Sequence, residues 1–227
     1  MEGRRRGGTR RELLRIAAVL GAGGASAWMS RALAAGDIPP GLHRLDGTAT
    51  INGAAARAGA AVKLGDHIAT GPRSQAVVVL KGDAFLMRAD TAIEVRGRGG
   101  TLSGLVVGAG KLLSVFGRKP VSIRAAHATI GIRGTGAYLE VEPARVYFCL
   151  CYGAALVEGP GMEGAAGRLV TTTHHEQPLW LRDDGGILRA EPGPMTNHSD
   201  AELVMLEALV GRQPPFMKDG SGAATRY

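Results

Sequence analysis

The sequence predicts an all-β protein, a single antiparallel β sandwich or roll with one C-terminal α-helix packed on it. Three observations carry this reading. Apolar runs of about four to seven residues recur with turn residues about every eight to twelve positions, the rhythm of a sandwich or barrel. Thirty-five glycines supply the turns and bulges such a fold needs. A convincing helical period appears once, late in the chain, over Ser199 to Gly211.

Taken in order, Asp37 to Gly41 is a proline-rich entry. Thr48 to Ile51 leads into Asn52-Gly53, a type I′ hairpin turn. Val62 to Ile68 turns at Gly65-Asp66, and Ala76 to Leu80 is a short buried strand. Lys81-Gly82-Asp83 turns it back into Ala84 to Arg88. Thr91, Ile93 and Val95 alternate with Ala92, Glu94 and Arg96, and 97–100 reads as a loop. Leu105 to Val107 and Lys111 to Phe116 continue the pattern on either side of Gly108-Ala109-Gly110.

The run from Val121 to Val157 is the most strongly patterned. Ala137, Leu139 and Val141 alternate with Tyr138 and Glu140, and Pro143-Ala144 turns the chain. Val146 to Tyr152 is apolar on both faces, which marks a strand buried on both sides. Beyond a glycine-rich loop at 158–167, Arg168 to Thr173 and Gln177 to Leu181 are further short strands. Ser199 with Glu202 forms a capping box, and Leu203, Leu206 and Val210 share a face of the helix. Gly211 and Pro214-Pro215 end it. This helix is expected to cover an open end or edge of the sheets. Residues 35–195 are thus read as the β domain, 196–212 as the helix and 213–227 as a flexible tail.

The formal charge of +7 is concentrated at the N-terminus, where residues 1–34 hold seven arginines against Glu2 and Glu12. The rest of the chain carries only +2, which argues against a nucleic-acid partner. Thr9-Arg10-Arg11-Glu12-Leu13-Leu14-Arg15, the apolar run to Trp28 and Ala32-Leu33-Ala34 together read as a twin-arginine signal peptide cut after Ala34. The apolar run falls short of the ~20 residues that span a bilayer. A periplasmic or secreted mature protein is expected, not membrane-spanning.

Residues 41–157 resemble the periplasmic FecR domain. The likeness rests on Gly65-Asp66-His67-Ile68-Ala69-Thr70-Gly71, Ser74 to Leu80, the turn Arg133-Gly134-Thr135 and a strand ending at Gly153. In that family the β domain follows one membrane helix, and a cytoplasmic segment acts on an extracytoplasmic-function sigma factor. The β domain relays signals from an outer-membrane siderophore receptor. Neither the spanning helix nor the cytoplasmic segment is evident here, so the resemblance implies the domain and a recognition role, with a protein or cell-envelope partner.

Cys149 and Cys151 are the two cysteines. At i and i+2 on a strand they face the same way with Cα atoms about 6.6 Å apart, at the far limit of the roughly 4.4–6.8 Å a disulfide tolerates. Three readings stand: buried core residues, a thiol-redox pair, or half of a soft-metal site for Zn or Cu. His174, His175 and His198 could complete the last. His198 precedes a helix N-terminus, where the dipole favours the neutral, ligand-competent ring. Otherwise no cofactor is expected. Enzyme signatures are absent: there is no G-x-S-x-G elbow, no P-loop, and Gly131-x-x-Gly134-x-Gly136 leads into a strand where a phosphate loop needs a helix. The sequence therefore predicts a non-catalytic binding or sensing module, the alternative being a small metal-binding or thiol-redox protein using Cys149 and Cys151.

Overall fold

The computed structural model of the protein describes residues 38–162 and 166–217; the leader read at 1–34 and the end of the tail lie outside them. The described chain is mostly β. Seven strands come first: β1 (Gly41–Asp46), β2 (Ala49–Ile51), β3 (Ala54–Ala55), β4 (His67–Thr70), β5 (Gln75–Leu80), β6 (Asp83–Met87) and β7 (Ala92–Arg98). The long β8 (Thr101–Val115) leads to β9 (Pro120–Ala125), β10 (Ala128–Arg133) and β11 (Gly136–Glu142). A second long strand, β12 (Arg145–Glu158), precedes β13 (Arg168–Thr172), β14 (Leu179–Asp184) and β15 (Ile187–Pro192). One helix, α1 (Asp200–Leu209), follows.

Two sheets share the long strands. The first has the order β1-β5-β6-β8-β11-β12-β14-β15 and the second β3-β2-β4-β7-β8-β9-β10-β12-β13. Residues 101–109 of β8 pair in the second sheet and 110–115 in the first. Likewise 145–152 of β12 belong to the first sheet and 153–158 to the second. Gly108-Ala109-Gly110, expected to separate two strands, is instead the bend at which one strand changes sheet. Gly110 (φ 90°) and Gly153 (φ 100°) make the two crossings. A Cβ at Gly110 would stand 2.4 Å from Thr91 Cα, so only glycine fits. One pair departs from the antiparallel expectation: β8 and β9 run parallel, because the chain leaves β8 in the first sheet and re-enters the second beside β8's other half.

Alternation along the first sheet's strands feeds two cores. Val78, Phe85, Leu112, Phe148 and Leu150 point between the sheets, against Ile93, Leu105, Ile123 and Val157. Val77, Leu86, Leu113, Tyr147, Cys149 and Cys151 point outward, under Leu203, Leu206 and Leu209 of α1. The helix therefore lies across a face of the first sheet, not over an open end or edge as expected. The reason is compositional: strands apolar on both sides require cover on both sides. At the helix start Glu202 accepts from the Ser199 backbone N–H (3.0 Å) and hydroxyl (3.1 Å). Gly211, with φ 71°, follows its end. The chain expected to leave the body at residue 213 still packs on it: Pro215–Met217 form a 3-10 turn and Phe216 is buried.

Replacing Gly110 by alanine should cost about 1–3 kcal/mol or more, since a strained φ and a backbone clash coincide. Urea unfolding checks this; an unchanged midpoint would contradict the crossing assigned to Gly110.

Candidate metal centre

Three segments meet above the outward face of β12. The strand itself presents Cys149 and Cys151, both fully buried. The loop between β13 and β14 brings His175 in a left-handed conformation (φ 61°), its backbone N–H donating to the Cys151 carbonyl at 3.1 Å. The Glu176 carboxylate ties that loop by accepting from the backbone N–H of Thr173 (2.8 Å) and His174 (2.9 Å). The connection before α1 brings His198. It is pinned by Tyr147, whose hydroxyl donates to the Pro194 carbonyl (2.7 Å), and by Asn197, whose amide donates to Glu140 (2.6 Å). The His198 ring stacks on Tyr138, with centroids 4.4 Å apart.

One ligand atom from each of Cys149, Cys151, His175 and His198 lies within 4.8 Å of every other, and all four residues are buried. His175 Nδ1 stands 3.5 Å from Cys149 Sγ and 3.2 Å from His198 Nε2. Nitrogens at about 2.0–2.1 Å and sulfur at about 2.3 Å from a tetrahedral ion stand about 3.3 Å (N to N) and about 3.5 Å (N to S) apart. The observed spacings are those of such a ligand set.

The outer ring nitrogens fix which way the inner ones point. His198 Nδ1 lies 2.7 Å from the Thr196 carbonyl, which can only accept, so Nδ1 carries that ring's proton. His175 Nε2 lies 3.2 Å from Asp200 Oδ1 and donates to it. With both outer positions protonated, the neutral rings aim two lone pairs at one another and at the Cys149 sulfur. Only a proton or a cation between them relieves that arrangement. Ligating histidines characteristically have their outer N–H held in this way by a carboxylate or a carbonyl.

The electrostatics agree. The Cys149 thiol is lowered to about 4, first by the hydrogen bond from Cys151 and then, against burial, by His175 and His198. Burial pushes the Cys151 thiol well up, and the neighbouring Cys149 charge adds to it. Burial disfavours the charged His175, but Asp200 and Cys149 outweigh it and raise the ring to about 9. Asp200 is held below the usual carboxylate range: burial opposes, and His175 and His174 prevail. Without a metal these shifts favour a charged Cys149 beside a protonated His175. With one, the cation takes the place of that proton.

Four of the five residues singled out in the sequence thus converge. His174 stands one layer out, its Nε2 2.9 Å from Asp200 Oδ1 and its ring stacked on Phe216 at 4.6 Å. The sequence reading missed Asp200, which looked like an ordinary acidic residue in a helical first turn, and Met195, whose thioether sulfur lies 4.0 Å from Cys149 Sγ. It also missed Glu140, which reads as a polar residue on an alternating strand yet is nearly buried.

No family model and no curated protein sequence matches the chain. Among solved structures, two crystal structures of a candidate anti-sigma factor from Parabacteroides distasonis are similar in fold, with TM-scores of 0.45 and 0.46 at 12% identity. Each match covers 56% of this chain and 59% of that one, so the likeness spans less than two thirds of the neighbour. Among the described residues no helix is long and apolar enough to cross a membrane.

Glu140 sets the position of His198 and gives a test. Burial would raise its pKa, but hydrogen bonds from Asn197 and Tyr138 and the charge of Lys111 bring it below the ordinary value. A folded-state pKa below the unfolded value of about 4.3 means a stabilisation complete above that pH and lost as the pH falls through the folded value. Glu140→Gln should therefore cost about 1.5–3 kcal/mol at neutral pH. The gap from wild type should narrow below about pH 4. Urea unfolding across pH checks this; a gap that does not vary with pH would contradict it.

Proposed function

We propose that the protein is an exported, non-catalytic FecR-like binding and sensing module of the cell envelope. In this reading a thiophilic transition metal, held by Cys149, Cys151, His175 and His198, fastens its C-terminal helix to the β body. The observation that carries the metal is the convergence of four buried donor atoms within 4.8 Å of one another, with His175 Nδ1 and His198 Nε2 3.2 Å apart beside the Cys149 sulfur. The donors come from β12, the β13–β14 loop and the connection into α1, so one ion would link three segments far apart in sequence. Four buried protein donors are the mark of a structural site rather than a catalytic one. Binding would also displace the Cys151 proton, since the ligand form is the thiolate.

The order Cys149, His175, Asp200 also has the form of a nucleophile, a base and its orienting carboxylate. Burial weighs against that use. Cys149 is fully buried, and the cavity of about 770 Å³ between Phe116, Tyr152, Glu207, Arg212 and Met217 includes none of the four donors in its wall. A nucleophile that no substrate can meet does no chemistry.

The recognition role rests on the resemblance of residues 41–157 and on an available edge. Among the described residues β13 pairs with β12 alone, and its Leu169 is 68% exposed, an apolar side chain on a sheet edge that a partner strand could use.

The metal is tested by elemental analysis of tag-free protein. One zinc or copper ion per chain is expected, lost in Cys149→Ser and in His198→Ala. An ion at a hundred times its Kd adds about 2.7 kcal/mol of stability, so a strong chelator should lower the Tm of a protein of this size by roughly 5–10 °C. No bound transition metal, with a melting point indifferent to chelator, would end the reading. Export is tested separately by mass spectrometry of the mature N-terminus, which should begin at Ala35.

A further inference from the structure

The metal reading leaves open which ion, and one neighbouring side chain speaks to that. Met195 sits in the connection between β15 and α1, three residues before His198, and its thioether sulfur lies 4.0 Å from Cys149 Sγ. Its backbone is not free to drift. The preceding Pro194 carbonyl accepts from Tyr147, Asn197 donates to Glu140, and the Asn197 carbonyl accepts from Arg88 at 2.6 Å. The same clamps that aim His198 at the cluster therefore aim Met195 at it.

We propose that the centre is a copper site, with Met195 as a further, weak donor to an ion held by Cys149, Cys151, His175 and His198. This rests on the metal reading above and refines it. The inference comes from donor chemistry. Zinc is bound in proteins by cysteine, histidine and carboxylate. A thioether is a soft donor that copper accepts, commonly as a long axial ligand beside cysteine and two histidines. A thiolate at about 2.3 Å and a thioether on a longer bond to one ion stand about 4 Å apart, the separation seen here. Among the described residues the Asp200 carboxylate gives its Oδ1 to His174 and His175, while its Oδ2 is buried without a hydrogen-bond partner. Beyond the four donors, the side chain set against the Cys149 sulfur is the Met195 thioether.

Full-length mature protein is titrated anaerobically with Cu(I) against bicinchoninate, and in parallel with Zn(II) against a chromophoric chelator. Wild type is compared with Met195→Leu, which keeps size and apolarity, and with Met195→Ile should the leucine variant not fold. The expected result is that Cu(I) affinity falls about tenfold or more while Zn(II) affinity stays within about threefold. Equal losses for both ions would show that Met195 acts through packing alone, and no loss for either would show that it is no ligand. Both overturn the copper assignment while leaving the metal centre standing. Failure of wild type to hold either ion would overturn the centre itself and the assignment with it.

Discussion

His175 and His198 can turn lone pairs inward only because each has its outer ring N–H already spoken for. The Thr196 carbonyl holds one and the Asp200 carboxylate the other. Neighbouring contacts hold the segments that make those two bonds. Tyr138 and Glu140 on β11 support His198 from below, one by stacking and the other through Asn197. Asp200 lies in the first turn of α1, so helix position and ring orientation are set together. Leu203, Leu206 and Leu209 then seal the site from above by burying against the outward face of the first sheet. Apolar burial places the helix, and the polar contacts decide its register.

That division explains what could be read from the sequence. Val146 to Tyr152 announced a strand with two buried faces, and the two cores it serves follow from that one pattern. Cys149 and Cys151 had to share a face because they are two residues apart. The capping residues of α1 were equally plain. The crossings of β8 and β12 between sheets were not, since a glycine that ends a strand and one that bends it carry the same local signal. The parallel pairing of β8 with β9 depends on that crossing and was hidden with it. The helix was misplaced for a related reason: strands apolar on both faces imply a second layer, but periodicity does not say what forms it.

At the site, residue type was legible and proximity was not. Nothing local distinguishes His175 from His174. The choice is made by a left-handed backbone at His175 and by its hydrogen bond to the Cys151 carbonyl, both products of the tertiary fold. Met195 and Asp200 lacked any pattern of their own. They take their meaning from being two and five residues away from Asn197 and Met195 respectively, on a segment anchored at both ends.

An ion at this position would make the helix and the sheet one cooperative unit. X-ray absorption at the K-edge of the bound metal reads the centre most directly. The account predicts sulfur at about 2.3 Å and imidazole nitrogen at about 2.0 Å in a single shell. A shell of light atoms alone, without sulfur, would contradict it.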